Sequence, residues 1–268
     1  MNAVVFDLDD TLLHDDLTIS DYSVQVFHRL RDKGITIIAA SGRAQLSMKP
    51  YVDQLDCVSA YISCNGAEIW DGATHRLVHQ ELLSVETSVD IALFAENHSC
   101  YAQVYDGGNF YFNQYGVYAE RYAASARLNG IFVGKLSDYI HEPRNKILLM
   151  DSELKISRMF SEAKLLFSGR ASVTCSKPFY LEFNPLNATK GKALKSVSAL
   201  LNLHPKDFVA IGDSLNDLSM LQAAGLAVTV ANGWDEIKPY CGFISQSNNE
   251  DGPAHFLNEY FLNGEVIP

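Results

Sequence analysis

VVFDLDDTLL, residues 4–13, joins a short apolar run to three carboxylates. Residues 4–6 predict a buried strand, and Asp7, Asp9 and Asp10 follow it before apolar residues return. Two like charges about 4 Å apart repel by ~1 kcal/mol in water and by ~4 kcal/mol at an effective dielectric near 20. If these carboxylates converge in the folded chain, we therefore expect a positive charge among them.

The composition is that of an acidic globular protein. The chain has 268 residues, of which 47% are hydrophobic, with a formal net charge of -11 and a pI near 5.1. Because it has no block of Lys and Arg, we expect neither nucleic acid nor an acidic membrane surface as a partner. The five scattered cysteines form no C-x-x-C pair, and no stretch has the pattern of a secretory signal or a membrane span. We therefore expect a cytoplasmic protein; the pattern does not predict its oligomeric state.

Strand and helix patterns alternate in the first and last thirds of the chain. ITIIAA (35–40) and FVAIG (208–212) predict buried strands, and GKALKSVSALL (191–201) predicts a helix with one apolar face. Strands and helices that alternate at these lengths predict βαβ units and a parallel sheet covered on both faces. The predicted fold class is therefore α/β, with a doubly wound, mostly parallel, Rossmann-like sheet.

The middle third has a different pattern, in which helices mix with hairpins. Residues 100–114 predict a hairpin with a turn at Gly107-Gly108, and residues 171–185 predict two further strands. This mixture indicates an α+β module on an antiparallel sheet, inserted between two halves of one α/β domain. The predicted domains are a core of residues 1–83 and 186–268 and an inserted α+β domain of residues 84–185.

Polar residues follow the predicted strands of the parallel sheet. Asp7 and Asp9 come after the first strand, Ser41 after residues 35–40, and Asp213 after residues 208–212. In an open parallel sheet, functional side chains collect at the carboxyl ends of the strands, near the switch point in strand order. We therefore expect these side chains to share one site.

Together these residues resemble the four motifs of the haloacid dehalogenase-like (HAD) hydrolase superfamily. The resemblance spans the whole chain and is closest to the Cof-type phosphatases, which carry a type IIB cap. It implies that the core is catalytic and that the inserted domain is a cap that sets substrate specificity. At Asp10 the family more often has Gly, and we expect a turn there, which Asp also tolerates. The matching stretches are DLDDTL (7–12), SGR (41–43), NGA (65–67), KGKAL (190–194) and GDSLND (212–217).

The resemblance implies a phosphatase that works through an aspartyl-phosphate. Asp7 would be the nucleophile, and Asp9 the general acid and then the general base. Asp7, the carbonyl of Asp9 and Asp213 would hold Mg²⁺, which prefers oxygen ligands. Lys190 would balance the charge of Asp7 and of the phosphate, and Asp217 would steady the metal side of the site.

The resemblance also implies which residues surround the phosphate. Ser41 and the amide of Gly42, expected at a helix start, would bind phosphate oxygens together with Asn216. Asn65 would lie beside the substrate, although Asn65 is also a turn residue. Thr11 would support the metal site without being a ligand. Taken singly, several of these residues could equally be strand-end turns or helix caps, and only their combination indicates a function.

Three hypotheses for the function follow. The first is a Mg²⁺-dependent phosphatase that acts on a small phosphorylated metabolite, such as a sugar phosphate or a phosphorylated cofactor. The second is a phosphomutase or phosphotransferase, which shares the first motif and differs in using a second hydroxyl rather than water as the acceptor. The third is a catalytically silent metabolite-binding protein on the same scaffold. The sequence does not predict which phosphorylated molecule is the substrate.

Overall fold

The computed structural model describes residues 1–106 and 109–264, and the predicted Gly107-Gly108 turn lies outside them. The strands are β1 Ala3–Phe6, β2 Thr36–Ala40, β3 Ala60–Ser63, β4 Glu68–Asp71, β5 Leu77–Gln80, β6 Tyr101–Asp106, β7 Asn109–Phe112, β8 Asn129–Phe132, β9 Ile147–Met150, β10 Ser172–Thr174, β11 Tyr180–Asn184, β12 Phe208–Gly212, β13 Leu226–Val230 and β14 Phe243–Ser245. The α-helices are α1 Asp21–Asp32, α2 Gln45–Leu55, α3 Val85–Asn97, α4 Val117–Ala126, α5 Leu136–Tyr139, α6 Glu153–Leu166, α7 Lys190–Leu200, α8 Leu218–Ala223 and α9 Gly252–Leu257. In the described part of the chain, none of these helices is long and apolar enough to span a bilayer.

The chain divides into two compact units. The predicted inserted domain, residues 84–185, lies within the second of them. The short segment 42–47 after β2 also groups with the second unit, which the sequence pattern did not indicate. The first unit consists of residues 1–41, 48–79 and 189–268, and the second of residues 42–47 and 80–188.

The first unit is built on an eight-stranded sheet with the strand order β14-β13-β12-β1-β2-β3-β4-β5. The six strands from β14 to β3 are parallel, and β4 is antiparallel to β3. The chain builds outward from β1 through β2 and β3, then returns at β12 on the other side of β1. The switch point in strand order therefore lies between β1 and β12, and the predicted doubly wound α/β fold is confirmed.

Both faces of β1 are covered, which explains why its residues are apolar at every position. Phe6 packs on Phe27 of α1, with 4.8 Å between the ring centroids. Val5, on the opposite face, lies in a second core cluster with Leu194 of α7. A strand buried on both sides lacks the alternation of apolar and polar residues that a half-exposed strand has. This burial fixes the position at which β1 ends and the carboxylates begin.

The second unit contains a six-stranded sheet with the strand order β10-β11-β9-β6-β7-β8. Five of its strands pair antiparallel, as predicted, but β7 and β8 pair parallel. The prediction of an antiparallel sheet is therefore wrong at this edge, because α4 connects β7 to β8 as a crossover. One sheet face packs a cluster that includes Ile91 and Phe167, and the other packs Phe110 against Tyr122 of α4.

Candidate active site

The carboxylates of the opening stretch lie on a turn at the carboxyl end of β1. The backbone N–H of Asp7 donates to the carbonyl of Ile211 in β12 at 2.9 Å, and that of Leu13 closes the turn on the carbonyl of Leu8 at 2.8 Å. Asp10 has φ +55° and ψ 5°, in the left-handed region that Asp tolerates better than most residues. The prediction that Asp10 is a turn residue is confirmed.

Lys190, the first residue of α7, lies between two carboxylates. Its Nζ is 2.8 Å from Oδ1 of Asp7 and 2.6 Å from Oδ1 of Asp217, and its side chain is 0% exposed. Burial by itself lowers the pKa of Lys190, but the charges of Asp217 and Asp7 outweigh it and raise that pKa above its ordinary value. Lys190 is therefore a buried cation held in place by two anions.

Asp217 is anchored by the turn that follows β12. Its Oδ2 accepts hydrogen bonds from the backbone N–H of Asp213 at 3.1 Å and of Ser214 at 3.3 Å. A Cβ on Gly212 would lie 2.5 Å from Cγ of Asp217, so only glycine leaves room for this side chain. Because residues 213–217 form this turn, α8 begins only at Leu218.

Three buried carboxylates converge at the switch point of the sheet. One oxygen from each of Asp7, Asp213 and Asp217 lies within 4.8 Å of the others. Burial raises the pKa of Asp7 well above its usual range, Lys190 opposes this, and the neighbouring carboxylates add to it. Burial, and then the charge of Asp217, raise the pKa of Asp213 to about 7. The excess of negative charge over that of Lys190 is what a divalent cation would compensate.

The donor set fits Mg²⁺, which takes oxygen ligands. Both oxygens of Asp217 are already engaged, Oδ1 by Lys190 and Oδ2 by two backbone N–H groups. Asp7 and Asp213 are therefore the carboxylates of the three that are better placed to turn an oxygen toward a metal ion. Thr11 donates from Oγ1 to Oδ1 of Asp213 at 3.2 Å, which orients that carboxylate.

Three polar residues predicted around the phosphate are linked by hydrogen bonds. Ser41 is buried at the end of β2, and its carbonyl accepts from the backbone N–H of Asn65 at 3.1 Å. Asn216 donates from Nδ2 to Oδ1 of Asn65 at 3.3 Å, and its own Oδ1 accepts from Oγ of Ser214 at 2.8 Å. Asn65 is thus both the turn residue and the link between the loops after β2 and β12.

Gly42 differs from its predicted setting. The sequence placed Ser41 and Gly42 at a helix start, but α2 begins only at Gln45. Gly42 belongs to the short segment that groups with the second unit, where its carbonyl accepts from Nζ of Lys146 at 3.1 Å. That prediction of a helix N-terminus at Gly42 is therefore wrong, because the chain first makes a bend at residues 42 and 43.

Two close backbone approaches that sequence reasoning missed hold α7 in place. Gly66 has φ +106°, and a Cβ there would lie 2.5 Å from the carbonyl oxygen of Thr189. A Cβ on Gly191 would lie 2.2 Å from the carbonyl oxygen of Ser219, whose Oγ accepts from the Gly191 N–H at 3.0 Å. The sequence signal for these two contacts was the glycine that follows Asn65 and the glycine that follows Lys190. Both positions need glycine for close packing as well as for turn geometry.

Comparison with known proteins identifies the family. A profile of the haloacid dehalogenase-like hydrolases matches residues 4–257. The chain belongs to this family. It is similar to the 5-amino-6-(5-phospho-D-ribitylamino)uracil phosphatase YcsE of Bacillus subtilis, with 27% identity over 262 residues, 98% of this chain and 96% of the relative. Phosphatase YwpJ of the same organism is 26% identical over 282 residues, 96% of this chain and 99% of the relative.

Solved structures have the same architecture. A haloacid dehalogenase-like hydrolase from Bacteroides thetaiotaomicron superposes with a TM-score of 0.88 at 26% identity, covering 97% of this chain and 99% of that one. A sugar phosphatase of HAD subclass IIB shares the fold with a TM-score of 0.85 at 18% identity, over 97% and 99% of the two chains. The predicted family is confirmed, and the chain is a HAD phosphatase.

Proposed function

We propose that this phosphatase hydrolyses a small phosphorylated metabolite through an aspartyl-phosphate on Asp7, with Mg²⁺ as its cofactor. The observation that carries the proposal is the buried group formed by Asp7, Lys190 and Asp213 at the switch point of the sheet. This group combines a carboxylate nucleophile, a fixed cation and an excess of negative charge. Phosphoryl transfer needs the first two of these, and a divalent cation would balance the third.

Mg²⁺ would be held by Asp7, Asp213 and the carbonyl of Asp9. When bound, the ion supplies positive charge to the phosphate oxygens as negative charge develops on them. Lys190 adds a second, permanent positive charge beside Asp7. Ser41 and Asn216 would bind the remaining phosphate oxygens, with Asn65 holding Asn216 in place.

The chain's own residues account for both half-reactions. A carboxylate oxygen of Asp7 attacks phosphorus while the bond from phosphorus to the leaving oxygen breaks, and Asp9 delivers its proton to that oxygen. The alcohol leaves, and Asp9 is now a carboxylate. Asp9 then takes a proton from the water that attacks phosphorus, the bond between phosphorus and the Asp7 oxygen breaks, and inorganic phosphate is released.

The names of the relatives support the substrate class. YcsE is named for a phosphate ester of a ribityl chain, a small molecule rich in hydroxyl groups. We therefore propose that the leaving group is the alcohol of a small hydroxylated metabolite, such as a sugar or a cofactor. The poor acidity of such an alcohol is the reason the reaction needs a general acid at Asp9.

The test is release of free phosphate from a panel of phosphorylated metabolites, with and without Mg²⁺, by wild type and Asp7→Asn. We expect Mg²⁺-dependent release by wild type and a loss of at least about 10³-fold in kcat for Asp7→Asn, because the amide is not a nucleophile. Asp32→Asn, at an exposed carboxylate on α1, is the matched control and should retain full activity. Activity of Asp7→Asn within tenfold of wild type would contradict the proposal. Transfer of phosphate to an added alcohol without free phosphate would indicate a phosphotransferase instead.

A binding measurement tests the metal separately. Mg²⁺ should raise the melting temperature of wild type, because it binds the folded chain and not the unfolded one. Asp213→Asn removes one proposed ligand and should lose most of that shift while it stays folded. An equal shift in both proteins would rule out Asp213 as a ligand.

A further inference from the structure

We propose that Asn232 and Asn248 are positioning residues that fix the turn carrying Asp9. The proposal rests on the proposed role of Asp9 as the general acid. Asn232 lies in the loop after β13 and Asn248 in the loop after β14, on the two strands farthest from β1 on that side of the sheet. Neither residue belongs to the sequence motifs of the site.

The two asparagines form a chain of hydrogen bonds that ends on both sides of the turn. Asn232 donates from Nδ2 to the carbonyl of Asp10 at 2.7 Å, and its Oδ1 accepts from the backbone N–H of Asn248 at 3.0 Å. Asn248, which is buried, donates from Nδ2 to the carbonyl of Leu13 at 2.9 Å. These two amides therefore hold the carbonyls of Asp10 and Leu13, which lie one and four residues after Asp9.

The turn needs this support because part of its backbone is strained. Asp10 is in the left-handed region, which costs an L-residue roughly 1–2 kcal/mol relative to the right-handed one. The orientation of the Asp10 carbonyl depends on ψ of Asp10, so the bond from Asn232 holds this angle directly. Asp9, the preceding residue, is extended with φ -66° and ψ 135°. Relaxation of Asp10 would rotate the chain on which the Asp9 side chain is carried.

The same loop also holds the backbone of Asp213. The N–H of Trp234 donates to the carbonyl of Asp213 at 2.8 Å, only two residues after Asn232. A Cβ on Gly233 would lie 2.4 Å from Oγ1 of Thr229, so the loop passes tightly over the end of β13. Residues 232–234 thus connect the backbone of the Asp9 turn to that of a proposed metal ligand.

Positioning of Asp9 has a consequence that general destabilisation does not have. A general acid must lie within hydrogen-bond distance of the leaving oxygen, and a misplacement of about 1 Å can lower the rate by about 10²-fold. The leaving group of an alkyl phosphate is a strongly basic alkoxide, which needs the proton. The leaving group of p-nitrophenyl phosphate is a weakly basic phenolate, which does not. Loss of positioning should therefore slow the alkyl ester selectively. Loss of folded protein, metal or phosphate binding should slow both esters equally.

The experiment compares kcat/KM for p-nitrophenyl phosphate with kcat/KM for an alkyl phosphate that wild type hydrolyses. This constant covers the steps up to formation of the aspartyl-phosphate, so the later role of Asp9 as a base does not enter. Asn232 is exposed, and we expect Asn232→Ala to fold normally. Its alkyl-to-aryl ratio should fall by about tenfold, with the aryl ester changed by less than about twofold. Asn249→Ala is the matched control, since the exposed Asn249 accepts from the N–H of Asp15 and takes no part in the hydrogen bonds to the carbonyls of Asp10 and Leu13.

Two further variants make the result decisive. Asp9→Asn should lower the ratio by about 10²-fold or more if Asp9 is the general acid. If Asp9→Asn leaves the ratio unchanged, the proposed role of Asp9 is wrong and the inference is overturned with it. If Asp9→Asn lowers the ratio but Asn232→Ala does not, only the inference is overturned. Asn248→Ala keeps the backbone N–H that Asn232 accepts but loses the bond to the carbonyl of Leu13, so it should also lower the ratio. The double variant should lower the ratio further than either single one, because the two amides hold different carbonyls of the turn.

Discussion

The substitution Lys190→Met tests the charge balance on which the site depends. It keeps most of the side-chain volume and removes the positive charge between Asp7 and Asp217. Each of the two ion pairs, at 2.8 and 2.6 Å, has a Coulomb energy of about 6 kcal/mol at an effective dielectric near 20. Part of this is offset by the desolvation of the lysine and of both carboxylates. Removal of one partner of a buried pair typically costs about 3–5 kcal/mol, so we expect the free energy of unfolding near pH 7 to fall by about 4 kcal/mol.

The loss should depend on pH, with a defined sign. In wild type the pKa of Lys190 is raised, so its contribution is complete below the unfolded pKa near 10.5 and is lost only as the pH rises through the folded value. In the variant, Asp7 loses the charge that opposed its raised pKa. The folded variant then binds protons more tightly than folded wild type does, and its stability falls more steeply as the pH rises. The deficit relative to wild type should therefore be smaller at pH 5 than at pH 8.

Urea denaturation of both proteins at pH 5, 7 and 8, without added metal, measures this deficit. Lys195→Met, an exposed lysine on the same helix, is the control and should stay within about 0.5 kcal/mol of wild type. A loss of less than about 1 kcal/mol for Lys190→Met would refute the reasoning, because the buried carboxylates would then tolerate the missing cation. A deficit that does not grow from pH 5 to pH 8 would refute the charge-based explanation even if the loss itself were large.

Two other substitutions test the packing and the electrostatics of the first unit. Gly212→Ala would place a Cβ 2.5 Å from Cγ of Asp217, so we expect the free energy of unfolding to fall by about 1–3 kcal/mol, measured by urea denaturation. Gly242→Ala, whose Cβ would meet the end of the Leu226 side chain at 3.2 Å and the carbonyl oxygen of Ala227 at 3.8 Å, should lose less, and equal losses would contradict the explanation. Asp251 is the subject of the second test: burial raises its pKa, but hydrogen bonds from Ser20 and from His14 and Ser23 outweigh this and lower it. Its stabilising contribution is therefore present above the unfolded pKa near 3.9 and lost as the pH falls through the folded value. Asp251→Asn should show a deficit at pH 7 that shrinks below about pH 4, and a deficit independent of pH would contradict this.

The sequence predicts the parallel sheet well because burial leaves a direct mark on composition. Strands such as β1 and β12 are covered on both faces and are apolar throughout, and polar residues begin where the strands end. An exposed strand lacks this continuous run of apolar residues. All four residues of β8, Asn129–Phe132, are exposed, so no periodic pattern signals this strand or its parallel pairing with β7.

The candidate site is predictable only in part, for a related reason. Asp7, Lys190 and Asp213 carry chemistry in their own side chains, so a motif can reveal them. The contacts of Asn232 and Asn248 end on backbone carbonyls of Asp10 and Leu13, and a carbonyl is the same whatever side chain it belongs to. No pairing of residue types therefore marks these contacts, which join positions more than two hundred residues apart in the chain.

The place of Asp217 in the site becomes clear from the same geometry. Asp217 receives Lys190 at 2.6 Å together with two backbone N–H groups, so it is held more firmly than Asp7. Lys190 therefore keeps a fixed partner when the second one changes. If Asp7 becomes phosphorylated, the negative charge beside Lys190 increases, and the lysine can interact with the phosphate while it stays bound to Asp217. A cation held in this way needs no reorganisation during the reaction, which is the condition under which electrostatic stabilisation is most effective.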